Sequence, residues 1–208
     1  PGRGRSLGLR PPGMSTSQTA RCDWALTGGP GIGDAYLRYH DEVWGVPERD
    51  PRVLFEFLIL EGAQAGLSWS TILRKLDSYR HAYDGFDPEA IARYADADVE
   101  RLLGDEGIVR NRAKVAASIR NAQAWLELDD PAGHLWGFTG GEVIHNRWPN
   151  MAAVPAETER SQAMSRDLKQ RGFGFVGPTI CYAFMQATGM VNDHITTCFR
   201  HGECGGLT

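Results

Sequence analysis

Glu61 is the residue whose placement most invites a chemical reading. It closes the apolar run from Leu54 to Leu60 and shares a helix stripe with Leu54, Phe57, Leu58 and Ala65, at intervals of three, one, three and four. A carboxylate on a core-facing stripe costs on the order of a few kcal/mol unless something pairs with it. Trp69 follows eight residues later, in Gly-Leu-Ser-Trp. An anion beside an indole face makes a pocket for something flat and positively charged. The plainer alternative is a Glu61 salt-bridged to a neighbouring arginine, or one capping a backbone kink at Gly62.

A second group of residues has the chemistry of a metal site. His194 and Cys198 are four apart after Asn192-Asp193, which reads as a helix cap, so the spacing predicts that both ligands share one helix face. Cys22 and His40 are candidates for the other two positions, with His201 and Cys204 as rivals. Four protein ligands in a Cys₂His₂ set would close a tetrahedral, structural site with no open position for water. Against this stands a satisfied core histidine beside a buried thiol.

Around His40 the aromatics Trp24, Tyr36, Tyr39 and Trp44 are dense. Such density ordinarily serves core packing; the functional reading is a stacking pocket for a nucleobase drawn out of its duplex. Anchoring Cys22 and His40 on a metal would hold Trp24 and Tyr39 rigid as well. A third segment, Leu168 to Phe184, reads as helix, glycine-rich hairpin, helix. Gly172, Gly174 and Gly177 would let backbone N–H groups approach a phosphate at a helix start, with Lys169 and Arg171 beside them. The alternative is an ordinary helical corner with C-cap glycines.

Helices must position these residues. Asp50-Pro51 is an N-cap followed by proline at the first helical position, and that helix is expected to run to about Gln64. Ser68 is expected to cap a helix from Trp69 to about Leu76, followed by a helical stretch around 78–83. Asp87-Pro88 starts another over 89–94, and Asp96 opens 97–103. Between Arg110 and Leu128, Val115, Ile119, Ala122 and Leu126 fall on one stripe. Residues 130–157 are loop-rich. Ser161 to Arg171 is amphipathic through Met164 and Leu168, and Pro178 opens a helix carrying Ile180, Phe184 and Ala187 with Gly189 as its stop. Two-residue alternation is absent, so the predicted fold is all-α, a single domain over 21–204 with the hairpin at about 168–189.

Composition narrows the functional classes. A chain of 208 residues with 42% hydrophobic content, six Trp, eight Phe and six Tyr can bury a sizeable core. No apolar run reaches the roughly 18 residues of a membrane span. The net charge of −4 excludes a general polyanion-binding surface, so any nucleic-acid contact must be local. Four sparse cysteines suit metal or free thiols in a cytoplasmic protein better than a disulfide framework. Residues 1–20 lack the apolar stretch of a signal peptide and read, with 205–208, as disordered tails.

The motifs Arg21-Cys22-Asp23-Trp24, Tyr39 to Pro47, Leu60 to Trp69, Gly172 to Gly177 and Val191 to His194 occur in order. Together they resemble the bacterial DNA-3-methyladenine glycosylase I family. The resemblance implies the helix–hairpin–helix glycosylase fold with one structural Zn²⁺ joining the two ends of the chain, held by Cys22, His40, His194 and Cys198. It also implies that Glu61 is the base-recognition acid, Tyr39 its partner hydroxyl, and Trp69 and Trp24 the stacking indoles, with Trp44 and Tyr36 as further aromatic positions. Gly172, Gly174, Gly177 and Lys169 would hold the DNA backbone.

The implied activity is hydrolysis of the N-glycosidic bond of 3-methyladenine in alkylated double-stranded DNA, with free 3-methyladenine as product and the enzyme a monomer. Many relatives in the wider superfamily carry an aspartate two residues before the histidine. Here Asn192 takes that place and Asp193, one position off, is expected to cap a helix. The chemistry is then expected to rest on an ionised Glu61 selecting a cationic base rather than on a strong general base. No lysine follows the hairpin helix, so no lyase step is expected. The rival reading is a non-catalytic, zinc-stabilised DNA-binding module. A zinc base deaminase is disfavoured: His40-Asp41-Glu42 and His201-Gly202-Glu203 have the His-x-Glu form, but no Pro-Cys-x-x-Cys accompanies them, and a zinc held by four protein ligands has no free position.

Overall fold

The computed structural model describes residues 19–27 and 32–204. The expected tails therefore lie outside the described residues, except that Thr19 and Ala20 are placed. Ala20 is already held, its carbonyl accepting from Phe199 N at 3.0 Å.

A short 3₁₀ turn, Asp23–Leu26, leads into eleven α-helices among the described residues: α1 (Gly33–Glu42), α2 (Pro51–Gln64), α3 (Trp69–Arg74), α4 (Leu76–Ala82), α5 (Pro88–Ala92), α6 (Asp96–Gly104), α7 (Arg112–Leu126), α8 (Pro131–Trp136), α9 (Glu159–Gln170), α10 (Pro178–Ala187) and α11 (Phe199–Glu203). The start signals work as capping chemistry dictates. Asp50 accepts from the N–H groups of Arg52 and Val53, Asp87 from Glu89, and Asp130 from Gly133, each with proline next in the chain. Ser68 precedes α3 without capping it; its hydroxyl bonds to those of Ser70 and Thr71 instead.

Helix α2 is the axle of the fold. Leu54, Phe55 and every residue from Phe57 to Ala63 are buried, and α3, α7, α8 and α10 pack around it. A helix buried on all sides needs no single stripe, so Glu61 is enclosed by its helix's central position, not only by its face. Helix α10 lies against both α2 and α9. It ends at Ala187, and Gly189, with φ +67°, turns the chain where a Cβ would overlap the Val46–Pro47 peptide.

Three expectations are corrected. The inward stripe of α7 is rotated: Trp125 and Ser118 are buried with Val115 and Ala122, while Ile119 is half-buried and Leu126 is 47% exposed. Two short parallel strands, β1 (Ile144–His145) and β2 (Val191–Asn192), pair in register, too brief to show alternation in the sequence. Most consequentially, His194 and Cys198 do not share a helix. They flank a turn, and α11 begins only at Phe199, with Cys198 as its N-cap residue.

Candidate active site and metal centre

Glu61 is 3% exposed and has no ion pair among the described residues; its Oε2 is buried without any hydrogen-bond partner. The salt-bridged and kink-capping alternatives are thereby removed. Burial without a counter-charge pushes its carboxyl up to about 8. In the protein alone that shift favours the neutral carboxyl near neutral pH, whereas the ionised Glu61 expected from the sequence belongs to the state with a cationic base beside it.

Around it the aromatic residues form a cavity of about 220 Å³, walled by Trp24, Tyr36, Tyr39, Trp44, Glu61 and Trp69, and completed by Gln64, Met151, Ala183 and Gln186. Gln64 follows Glu61 by one helical turn on α2, within the Leu60–Trp69 motif; Met151, Ala183 and Gln186 are not singled out by the sequence, because helix α10 and the 151–153 turn reach the pocket only through the fold. Tyr39 and Trp69 lie 5.1 Å apart with rings tilted by 38°, and Trp24 meets Tyr36 and Trp44 edge-on at 5.2 and 5.1 Å. Trp69 Nε1 is, like Glu61 Oε2, buried without a partner. An unmet donor and an unmet acceptor in one aromatic pocket are costly unless a ligand with complementary groups uses them. Burial, and then the Glu61 charge, push the Tyr39 phenol well above its ordinary value, so it stays a hydrogen-bond donor.

A larger cavity of about 560 Å³ lies across the Tyr39–Trp69 pair. Glu42, Glu48, Glu56 and Asp77 line it against two arginines, and neither Glu61 nor the metal-type cluster belongs to it. Size therefore does not mark the chemistry here.

Cys22, His40, His194 and Cys198 converge, all buried, with their ligand atoms within 4.8 Å of one another. His194 Nδ1 lies 3.6 Å from Cys22 Sγ and 3.5 Å from Cys198 Sγ, and His40 Nε2 lies 3.5 Å from Cys198 Sγ. A tetrahedron with metal–sulfur bonds of about 2.3 Å and metal–nitrogen bonds of about 2.0 Å has S···N edges near 3.5 Å, so the spacing fits a four-coordinate ion. The outward nitrogens are held too: His40 Nδ1 bonds to Asp41 Oδ1 at 2.7 Å, and His194 Nε2 to the Trp44 carbonyl at 3.0 Å. Both acceptors turn the remaining ring nitrogen, lone pair inward, toward the centre.

Asp41 is braced by Arg21, whose Nε and Nη2 donate to it at 2.9 and 2.7 Å. Although burial opposes it, these bonds and the one to His40 keep the Asp41 carboxyl below its usual range. The hydrogen bond between Cys22 and Cys198 pulls the Cys198 thiol far down and pushes the Cys22 thiol up, so without an ion the two share one proton, which metal binding would release. The rival ligands fall elsewhere: His201 Nε2 bonds to the Asn146 carbonyl, and Cys204 stands outside the cluster. The four residues can hold a metal ion.

The hairpin packs directly beside Glu61. Gly62 lets it approach, since a Cβ there would meet Phe175 Cβ at 3.2 Å. Gly172 adopts φ +92°. Its N–H donates to Lys169 O, and Gly174 is clamped from both sides by Asn121, donating to Oδ1 at 2.7 Å and accepting from Nδ2 at 3.1 Å. Those two glycines shape the turn but have no N–H to spare. The N–H groups of Gly177 and Thr179, at the start of α10, have no partner among the described residues, and Lys169 is exposed nearby in the sequence.

With this geometry in place, comparison with known proteins is decisive: the methyladenine glycosylase family matches residues 31–201. The chain belongs to that family. It is 44% identical over 184 residues to the DNA-3-methyladenine glycosylase of Haemophilus influenzae, covering 86% of this chain and 97% of that protein. It is equally similar, over 182 residues, to DNA-3-methyladenine glycosylase 1 of Escherichia coli, covering 95% of it. Among solved structures, a crystal structure of 3-methyladenine DNA glycosylase I superposes with a TM-score of 0.82 at 48% identity, over 86% of this chain and 98% of that one. The Staphylococcus aureus enzyme, solved to explain its recognition of 3-methyladenine, superposes at 0.81 with 33% identity, over 86% and 97%.

Asp193 is the remaining correction in this methyladenine glycosylase. It caps no helix. It is fully buried, between β2 and His194, and accepts four hydrogen bonds from neutral side chains.

Proposed function

We propose that this methyladenine glycosylase hydrolyses the N-glycosidic bond of 3-methyladenine in alkylated double-stranded DNA, selecting the flipped base through Glu61. The supporting observation is the buried, unpartnered Glu61 Oε2 among indole and phenol rings. Methylation at N3 makes the adenine of the nucleotide formally cationic. That positive charge is what a desolvated carboxyl lacks: its arrival brings Glu61 back to the ionised form, which accepts a hydrogen bond from the exocyclic amine. A charge-assisted bond of this kind is worth about 1.5–3 kcal/mol, and a desolvated cation over an indole about 2 kcal/mol. Neutral adenine forfeits both. Trp69 supplies the stacking face and its indole N–H, Tyr39 donates from its phenol, and Trp24, Trp44 and Tyr36 close the walls.

Cleavage then needs little further help. The C1′–N9 bond breaks with its electron pair going to the base, which leaves neutral. Water adds to the sugar carbon and loses its proton to solvent. The hairpin holds a backbone phosphate through the free N–H groups of Gly177 and Thr179 at the start of α10, with Lys169 adding charge. Gly172 and Gly174 serve by shape. The ion at Cys22, His40, His194 and Cys198 is zinc, one per chain, with a structural role because all four positions are protein ligands. The four buried cysteines form no disulfide, which accords with a cytoplasmic setting.

The deciding experiment measures bases released from methylated duplex DNA. The wild-type protein should release 3-methyladenine and Glu61→Gln should do so about 10–100-fold more slowly, the equivalent of one charge-assisted bond. Equal rates for the two proteins would remove Glu61 from the site.

A further inference from the structure

Gln186 is a pocket residue that no motif marked. Ala183 and Gln186, three apart on α10, both line the aromatic cavity, so this face of α10 is one of its walls. The Gln186 backbone is fixed by Gly45 N, which donates to its carbonyl at 3.0 Å, next to Trp44 in the same wall. Its side-chain amide is fixed by Asp193: Gln186 Nε2 donates to Oδ2 at 2.8 Å.

Asp193 in turn has no freedom to move. Tyr182 OH donates to Oδ2 at 2.7 Å, and Asn146 Nδ2 and Trp148 Nε1 donate to Oδ1 at 2.7 and 2.8 Å. Four donors fill the four acceptor positions of a carboxylate. A carboxylate only accepts, so it dictates which end of the Gln186 amide faces it. An amide that would otherwise flip freely is thereby locked with its NH₂ toward Asp193 and its Oε1 turned away. That oxygen accepts no hydrogen bond among the described residues.

We infer that Gln186, oriented by Asp193, is a second acceptor for the flipped base and sets specificity for an exocyclic amine over a carbonyl at C6. This rests on the base-pocket reading above and extends it. The amine of 3-methyladenine carries two N–H bonds; Glu61 accepts one and Gln186 Oε1 the other. A purine with a carbonyl at C6, as in 3-methylguanine, brings an acceptor against that oxygen and meets repulsion in place of a bond. Gln186 touches the base, and Asp193 is a positioning residue that acts through it.

The test is binding of the free bases 3-methyladenine and 3-methylguanine, each followed by quenching of tryptophan fluorescence. Wild-type protein should prefer 3-methyladenine. Gln186→Met, equal in length but without the amide, should reduce that preference about tenfold, the worth of one neutral hydrogen bond. Asp193→Asn, which frees the amide to flip, should reduce it in the same direction. Should Asp193→Asn fail to fold, Gln186→Met decides alone. An unchanged ratio in Gln186→Met overturns the inference, including the case where both bases bind more weakly to the same degree, since that reports packing only. If wild-type protein binds neither base, the base-pocket reading fails first and takes this inference with it; if it binds 3-methyladenine and the ratio survives in Gln186→Met, only the role of Gln186 fails.

Discussion

Glu61 concentrates the trade between stability and function in one side chain. Its carboxyl is pushed up to about 8 by burial in the folded protein, against about 4.3 for an unperturbed glutamate. Between those values the folded state binds more protons at this site than the unfolded state, so its contribution to stability falls as pH rises from about 4.3 to about 8. Glu61→Gln should abolish that slope. Thermal melting is therefore expected to show the variant more stable than wild type at pH 8, by about 1 kcal/mol or more, and nearly equal at pH 4. Higher stability with slower base release would mark a group retained for its chemistry. Tyr39 offers a second test at this scale. Because its phenol stays protonated, Tyr39→Phe removes one donor and little volume, and 3-methyladenine binding by fluorescence quenching should weaken about tenfold.

The elements explain why these side chains meet. Helix α2 carries Glu61 through the centre, and Gly62 admits the hairpin between α9 and α10 at that level. The hairpin is held by side chains from a distant helix and from its own flank: Asn121 of α7 clamps Gly174, and Ser165 of α9 donates to the Val176 carbonyl at 2.6 Å. Asn121→Ala removes two hydrogen bonds from the half-buried Gly174 N–H and carbonyl and should cost about 1 kcal/mol in denaturant unfolding. DNA binding should weaken with it if the turn's shape presents the α10 N–H groups. Gly189 is more severe. Its φ of +67° and its contact with the Val46–Pro47 peptide leave no room for a side chain, so Gly189→Ala combines strain with a backbone overlap and should lose several kcal/mol, of order 3, or fail to fold in an expression and melting assay.

At the scale of the molecule, the metal-type cluster joins the start and end of the described chain. Cys22 lies just before the 3₁₀ turn, His40 near the end of α1, and His194 and Cys198 after β2. A bound ion stabilises folded over unfolded protein by its binding energy. Protein purified without added metal should carry about one zinc per chain by elemental analysis, and a chelator should lower Tm. Asp41→Ala removes the brace on His40 and should weaken metal affinity about 10–100-fold without abolishing it, whereas Cys198→Ser should lose the ion. Among the described residues no helix is long and apolar enough to cross a membrane.

Local chemistry settled much of this in the sequence. The Asp-Pro starts of α2 and α5, the stop at Gly189, and the apolar run enclosing Glu61 are written within a few residues of one another, where capping and periodicity act. Residue types and density already suggested a metal set and an aromatic pocket, but the choice of Cys22 and His40 over the rivals His201 and Cys204 came from motif resemblance, because residues 22, 40, 194 and 198 have no local reason to meet. Tertiary packing decided what those signals could not carry. It rotated the buried face of α7 onto Trp125, replaced a helix at His194 with a turn so that both its ring nitrogens are held, and sank Asp193 into a ring of four donors. It also brought Gln186 and Met151 to the pocket and left Glu61 unpaired, the condition that shifts its proton. Sequence patterns report which faces prefer water or core. The partner each buried polar atom finds, or lacks, is fixed only when distant segments are in place.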